Sequence, residues 1–173
     1  MGDFTTDPRR VYLDWNATAP PLPEAMEAML ACLREGWANA NSLHVEGKAA
    51  AHRLDAARQA FARCTGTSPG EWVFTSGGTE SIHAALYGCV KARPGKRRIV
   101  TSEGEHACTR AVLADLHDRG FEIVRVGLDR HGRWDPLEVA RCCDADTALA
   151  SLIWANNETG AVSDVRSVAE LLR

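Results

Sequence analysis

The stretch Trp72-Val73-Phe74-Thr75-Ser76-Gly77-Gly78-Thr79-Glu80-Ser81 constrains this chain more than any other. An apolar run ends in two glycines, and a run with helical spacing (Ile82, Ala85, Leu86, Cys89) begins directly after them. The pattern predicts a strand, a tight turn and a helix N-terminus. First-turn N–H groups have no intrahelical acceptor, and the helix dipole adds partial positive charge, so this geometry suits a phosphate. Glycine allows close approach of the main chain, and the hydroxyls of Ser76 and Thr79 can donate as well. The competing reading is a glycine turn that serves packing alone. The spacing is neither GxxxxGK[ST] nor GxGxxG, which argues against a nucleotide.

Read in order, the rest of the chain alternates in the same way. Val11 to Asp14 reads as a short extended segment, followed by a turn through Pro20, Pro21 and Pro23. Pro23 suits the first turn of a helix with the stripe Met26, Met29, Leu30 and Leu33, ending near Gly36. A polar loop, Asn39 to His44, leads past Gly47 into an Ala-rich helix with the stripe Ala50, Leu54, Ala57 and Phe61 and Gly66 beyond it. Arg98 to Thr101 reads as a strand, Ala107 to Arg119 as a helix stopped by Gly120, and Phe121 to Val126 as a strand. Asp129 to Arg133 is a turn, and Asp135-Pro136 caps a short helix reaching Cys142. Thr147 to Ala155 is almost continuously apolar, as expected of a strand buried on both faces. Asp164 caps a last helix carrying Val165, Val168, Leu171 and Leu172. Such alternation predicts a three-layer α/β/α fold with a mostly parallel sheet.

Composition narrows the function classes. At 173 residues, with 45% hydrophobic and 25% charged residues, the chain has the size and balance of an ordinary globular domain. A net charge of −3 gives no sign of a surface for nucleic acid or anionic lipid. The one dense basic cluster, Lys91 to Arg98, contains Pro94-Gly95 and reads as a solvated loop. No apolar run approaches the ~18 residues of a transmembrane helix, and Met1 to Asp7 lacks the pattern of a secretory leader. Cys32, Cys64, Cys89, Cys108, Cys142 and Cys143 form no C-x-x-C pair. They are expected to be buried small hydrophobes in a reducing cytoplasm, and no metal site is expected.

Ligands of such sheets gather at the carboxyl ends of the strands. Three polar clusters occupy that position: Thr75 to Ser81, Ser102 to His106, and Asn156 to Thr159. Between them they offer phosphate donors, an imidazole and two carboxamides. Several of these residues carry a family resemblance. Tyr12 to Pro20, Ser42-Leu43-His44 with Gly47, Phe74 to Ser81, Glu105-His106 and Asn156 to Gly160 resemble, in order and spacing, motifs of the cysteine desulfurases. These are pyridoxal-phosphate (PLP) enzymes of the class V aminotransferase-like branch with the fold type I architecture. The resemblance runs from about residue 11 to the end of the chain. Gly78 stands where alanine is usual, Ala40 where proline usually follows Asn39, and Trp15 precedes Asn16.

The resemblance implies roles for individual residues. Gly78 and Thr79 match the phosphate-loop pair, in agreement with the helix-terminus argument. His106 resembles the histidine that stacks on the pyridine ring and helps move protons; read alone, it is also a polar residue opening a helix. Asn157 matches the carboxamide that hydrogen-bonds the PLP phenolic oxygen, though Asn156-Asn157 alone also reads as an ordinary turn. Ala17 and Thr18 are expected near the substrate. Ser42, His44, His52, His83, His117 and His131 are expected at the surface or in helix caps.

The same resemblance implies L-cysteine as substrate, a homodimer, sulfur-acceptor proteins as partners, a cytoplasmic location and a part in iron–sulfur cluster biosynthesis. It also implies what should be absent. The family reaction needs a lysine that holds PLP and a mobile cysteine that takes the sulfur as persulfide. It needs an acidic partner for the pyridinium nitrogen and an arginine for the substrate carboxylate as well. In the family all four lie beyond the Asn-Asn-Glu motif. The lysines here are Lys48, Lys91 and Lys96, none of which follows a strand into the crevice. The chain stops on Leu171-Leu172-Arg173, in the middle of an apolar stripe. It is therefore expected to be the N-terminal part of a longer protein, with residues 1–36 as an N-terminal segment and helix and 37–173 as part of the PLP-binding large domain. Alone it is expected to be inactive, and to leave apolar surface without cover. A subunit completed in trans, a non-catalytic phosphate-binding module, and a lyase acting on selenocysteine or cysteine sulfinate remain open.

Overall fold

The structure is a computed structural model that describes residues 11–173, so the leader reading of Met1 to Asp7 lies outside the described residues. The chain divides into two compact units, the first ending at Phe74 and the second spanning Thr75–Arg173.

In the first unit, Pro23 opens helix α1 (Pro23–Glu35), and Gly36 caps its end. The stripe Met26, Met29, Leu30 and Leu33 remains between 45% and 66% exposed, and no residue of α1 is buried. Helix α2 (Val45–Thr65) begins two residues before Gly47, because His44 serves as its N-cap: His44 Nδ1 accepts from Gly47 N at 3.2 Å. A Cβ on Gly47 would stand 2.4 Å from the Ser42 carbonyl oxygen, so only glycine fits this first turn. Gly66, at φ 69°, ends α2 in the left-handed conformation that disfavours a side chain. An Arg53–Glu35 ion pair at 2.7 Å ties α2 to α1, and Phe61 packs against the rings of Trp72 and Phe74.

Trp72 to Thr75 does not form the expected strand. The segment is extended, but it pairs with no strand among the described residues, and Val73 is 79% exposed. An apolar sequence can favour an extended backbone, yet a strand exists only where a neighbour accepts its hydrogen bonds.

The second unit is the three-layer α/β/α sandwich that alternation predicts. Its elements are α3 (Gly78–Ala92), β1 (Arg98–Ser102), α4 (Ala107–Asp118), β2 (Glu122–Val126), α5 (Pro136–Cys142), β3 (Thr147–Ser151) and α6 (Val165–Leu171). The strands lie parallel in the order β2-β1-β3. Ile99 turns to one face, packing with Leu86, Val112, Leu113 and Leu116 from α3 and α4. Val100 turns to the other, packing with Val126, Trp134, Val139 and Val168. Asp135 and Asp164 cap α5 and α6 as expected, accepting from Leu137 N and Ser167 N.

The long strand expected over Thr147 to Ala155 is shorter and less buried. Pairing stops at Ser151, and a bend at Trp154 leads to an isolated antiparallel bridge between Ala155 and Val162. β3 is an edge strand among the described residues, which leaves most of its side chains half-buried. The cysteines also differ from expectation. All six are free, Cys32 and Cys64 are exposed, and the other four are half-buried. No helix among the described residues is long and apolar enough to cross a membrane.

The core makes a simple comparison. Leu113, 1% exposed, should cost roughly 2–5 kcal/mol of stability as Leu113→Ala, whereas Leu171→Ala at 48% exposure should cost under about 0.5 kcal/mol. Denaturant unfolding of the two variants measures the difference, and equal losses would place the core elsewhere.

Candidate functional site

The sheet order locates a crevice. From β1 the chain passes to β2 on one side, then returns over β1 to β3 on the other, with α4 and α5 on opposite faces. The strand order thus reverses between β1 and β3, and the loops leaving their carboxyl ends flank the gap where ligands of such sheets bind.

The first of these loops runs from Ser102 to His106. Glu105 is only 4% exposed, and its Oε1 accepts from Ser102 Oγ at 2.8 Å and from Ile153 N at 2.7 Å. Burial pushes the Glu105 carboxyl above its ordinary range, against the pull of those hydrogen bonds and of Arg110. Arg110 also donates to the Glu105 carbonyl. His106 is the N-cap of α4, with Nδ1 accepting from Cys108 N at 3.2 Å and lying 2.9 Å from Cys108 Sγ. An accepting Nδ1 puts the proton of the neutral ring on Nε2, at the exposed edge of the side chain.

The second loop follows β3. Asn156 Oδ1 accepts from Glu158 N and Thr159 N, both at 2.9 Å, while its Nδ2 donates to the Gly104 carbonyl at 3.0 Å. Gly160, at φ 72°, closes the loop by donating to the Asn156 carbonyl at 2.9 Å. Asn157 is exposed at the start of this turn. Asn156 thus builds the turn, and Asn157 is carried on it.

The third cluster opens α3. Gly78 and Thr79 are the first helical residues, and a Cβ on Gly77 or Gly78 would meet nothing within 4 Å. Thr75 Oγ1 lies 2.6 Å from Ser81 Oγ. Ser76 departs from expectation: its hydroxyl and its amide both go to Glu80 Oε2, at 2.6 and 2.7 Å. The Ser76 hydroxyl is thus already committed, and its hydrogen bonds hold the Glu80 carboxyl below the ordinary range.

Ile82, Ala85 and Leu86 of α3 share a cavity of about 250 Å³ with Glu105, His106, Thr109 and Ser151 to Ile153. The cavity thus joins Ile82 to Leu86 of α3, His106 and the end of β3, while Gly78 and Thr79 lie a turn before its lining. Ala17 and Thr18 belong to the first unit, in a turn where both amides donate to the Asp14 carbonyl. Glu105 and Asn156 are absent from the sequence-level set of site residues. The Ser102-x-x-Glu105 spacing, a serine three residues before an acid, is the signal that pairs the first of them locally. No local signal reveals its bond to Ile153. Among the described residues, no three His, Cys, Asp or Glu side chains cluster as a metal site.

A parallel α/β sheet with a glycine–threonine helix start and an imidazole at its switch point defines a class. The chain belongs to the class-V aminotransferase family, whose model matches residues 11–173. It is 44% identical to a cysteine desulfurase of Cereibacter sphaeroides over 164 residues, 94% of this chain and 42% of that protein. Among solved structures it resembles a NifS-like protein, with TM-score 0.89, 35% identity, and coverage of 94% of this chain and 45% of the other. It also resembles SspA in complex with cysteine, with TM-score 0.87, 27% identity, and coverage of 92% and 46%. The chain thus spans less than half the length of these relatives.

The residues present fit a phosphorylated cofactor in their donor chemistry. The backbone at Gly77 and Gly78 leaves open space on its Cβ side at the start of α3, a full 15-residue helix whose first-turn amides suit an anion. Glu80 gives this edge a titratable support. Its folded pKa lies below the unfolded value of 4.5, so its stability contribution is present above that value and is lost as pH falls through the folded one. Paired thermal unfolding of the wild type and Glu80→Gln, from about pH 7 to pH 3, should show a gap that closes as pH falls. A gap that widens toward acid would reverse the assignment.

Proposed function

We propose that this chain is the PLP-contacting N-terminal part of a cysteine desulfurase, the complete form of which converts L-cysteine to L-alanine and an enzyme-bound persulfide. The observation that carries the reading is the cavity shared by Ile82 to Leu86 of α3, His106 and the end of β3, with the Asn156-Asn157 turn tied to the His106 loop through the Asn156–Gly104 hydrogen bond. The relatives named as cysteine desulfurases support it, as does the cysteine bound by SspA. In this reading residues 1–36 are the N-terminal segment and 37–173 belong to the large domain. Homodimer formation, sulfur-acceptor partners and a cytoplasmic role in iron–sulfur cluster assembly belong to the same proposal.

Each residue has a physical task. Gly78 and Thr79 hold the phosphate through first-turn amides and the Thr79 hydroxyl. His106 lies against the pyridine ring and moves a proton at Nε2. Asn157 donates from its carboxamide to the phenolic oxygen, and Ala17-Thr18 border the substrate. PLP, when bound, supplies an electron sink for bonds breaking at the amino acid Cα.

No lysine of the second unit is placed to hold the cofactor. Lys91 lies in the last turn of α3, about 18 Å along the helix axis from Thr79 at ~1.5 Å per residue, and Lys96 lies in the following loop. The 173-residue chain by itself should therefore desulfurate nothing. Incubation with PLP, borohydride reduction and peptide mapping should label no single lysine stoichiometrically; one dominant labelled lysine, or alanine and sulfide made from cysteine, would refute this.

The phosphate assignment has its own test in the complete protein. Thr79→Val removes one hydrogen bond to a charged group, roughly 1.5–3 kcal/mol, so PLP affinity should fall about ten- to a hundredfold. Unchanged affinity by equilibrium titration would make the loop purely structural.

A further inference from the structure

His106 and Asn157 stand on different loops, leaving different strands, and nothing in the backbone ladder beyond Ser102 and Ser151 ties those loops together. Two side-chain cross-links do so. Ile153 N donates 2.7 Å to Glu105 Oε1, and Asn156 Nδ2 donates 3.0 Å to the Gly104 carbonyl. The two run in the same chemical sense: the loop after β1 supplies both acceptors and the loop after β3 both donors. Residue 104 is also tightly seated, since a Cβ there would meet Leu128 Cδ1 at 3.2 Å and Asn156 Nδ2 at 3.6 Å.

Of the two links, the one through Glu105 is the more demanding. A carboxylate that is 4% exposed is costly unless its oxygens are satisfied, and Oε1 alone takes both Ser102 Oγ and Ile153 N. Arg110, in the first turn of α4, donates to the carbonyl of the same residue. Glu105 is thereby held at its carboxylate and at its main chain, directly before the N-cap His106. A shorter acid would not span the gap, and an apolar residue would leave the Ile153 amide without its acceptor.

The geometry points to Glu105 as a positioning residue: by clamping the residue before His106 to Ile153, it fixes the imidazole relative to the loop that bears Asn157. Its catalytic consequence rests on the cofactor site proposed above, whereas its structural consequence does not.

The test uses the complete protein with Glu105→Ala, Glu105→Gln and Ser102→Ala. Three readouts are followed: hydrogen exchange of the Ile153 amide, the NMR titration midpoint of the His106 imidazole, and the absorption maximum of bound PLP. Glu105→Ala should speed Ile153 exchange about ten- to a hundredfold, the loss expected for a bond to a charged acceptor. It should also shift both the His106 midpoint and the PLP band. Glu105→Gln keeps an acceptor oxygen at Oε1, so it should return all three toward wild type. Faster Ile153 exchange with an unmoved His106 midpoint would reduce Glu105 to a structural tie and overturn the proposal, as would failure of Gln to restore the midpoint. If Glu105→Ala does not fold, Ser102→Ala decides in its place: a shifted His106 midpoint supports the clamp and an unshifted one refutes it. Wild-type protein that takes up no PLP would count against the proposed function alone, because exchange and imidazole titration still report on the clamp.

Discussion

The second unit depends on the two-sided burial of β1. Ile99, Val100 and Thr101 are fully buried, and the strand is hydrogen-bonded to β2 on one edge and to β3 on the other. A strand so enclosed cannot shift by one residue without moving Ile99 and Val100 into each other's layer. Its fixed register in turn fixes where the chain must leave the sheet, at Ser102, and therefore where Glu105 and His106 stand. The polar edge is in this sense a by-product of an apolar constraint. Hydrophobic packing of α3 and α4 on one face, and of α5 and α6 on the other, leaves only the strand ends free to carry chemistry.

Helix boundaries were the most readable part of the sequence, because they are set by local chemistry. Asp135, Asp164, Pro23, Gly36 and Gly66 each act within a turn of their own position, and each sits where its residue type suggests. Strands were less readable for the opposite reason. Trp72 to Thr75 has the composition of a strand, but its status depends on a partner that no local pattern specifies. Thr147 to Ala155 has the apolar continuity of a fully buried strand, yet continuity says nothing about where pairing ends. There the bend at Trp154 and the Ala155–Val162 bridge redirect the chain into the polar turn.

The site was readable to the same depth. Gly78, Thr79, His106 and Asn157 are proposed as site residues from sequence because their motifs are local and carry a family resemblance. The groups that hold the edge together could not. Glu105 meets Ile153 across 48 positions and Asn156 meets Gly104 across 52, separations at which a single sequence carries no signal. For Ser76, a candidate phosphate donor in the sequence, the partner was not readable for a related reason. Its competition with Glu80 is only four residues long, but it is decided by side-chain direction rather than by spacing.

The Ile153 peptide is anchored on both sides. Its N–H goes to Glu105, and its carbonyl accepts from Trp134 Nε1 at 3.0 Å. Trp134 is 3% exposed, whereas Trp15, Trp37 and Trp154 are 56%, 74% and 64% exposed. A buried indole in an apolar layer emits at shorter wavelength than a wet one, and its hydrogen bond tracks the same peptide that the glutamate holds. Nature has thus left an optical probe wired to the crevice. With the half-buried Trp72 replaced by phenylalanine, the short-wavelength part of this protein's own fluorescence reports whether the end of β3 is in place, without any added label.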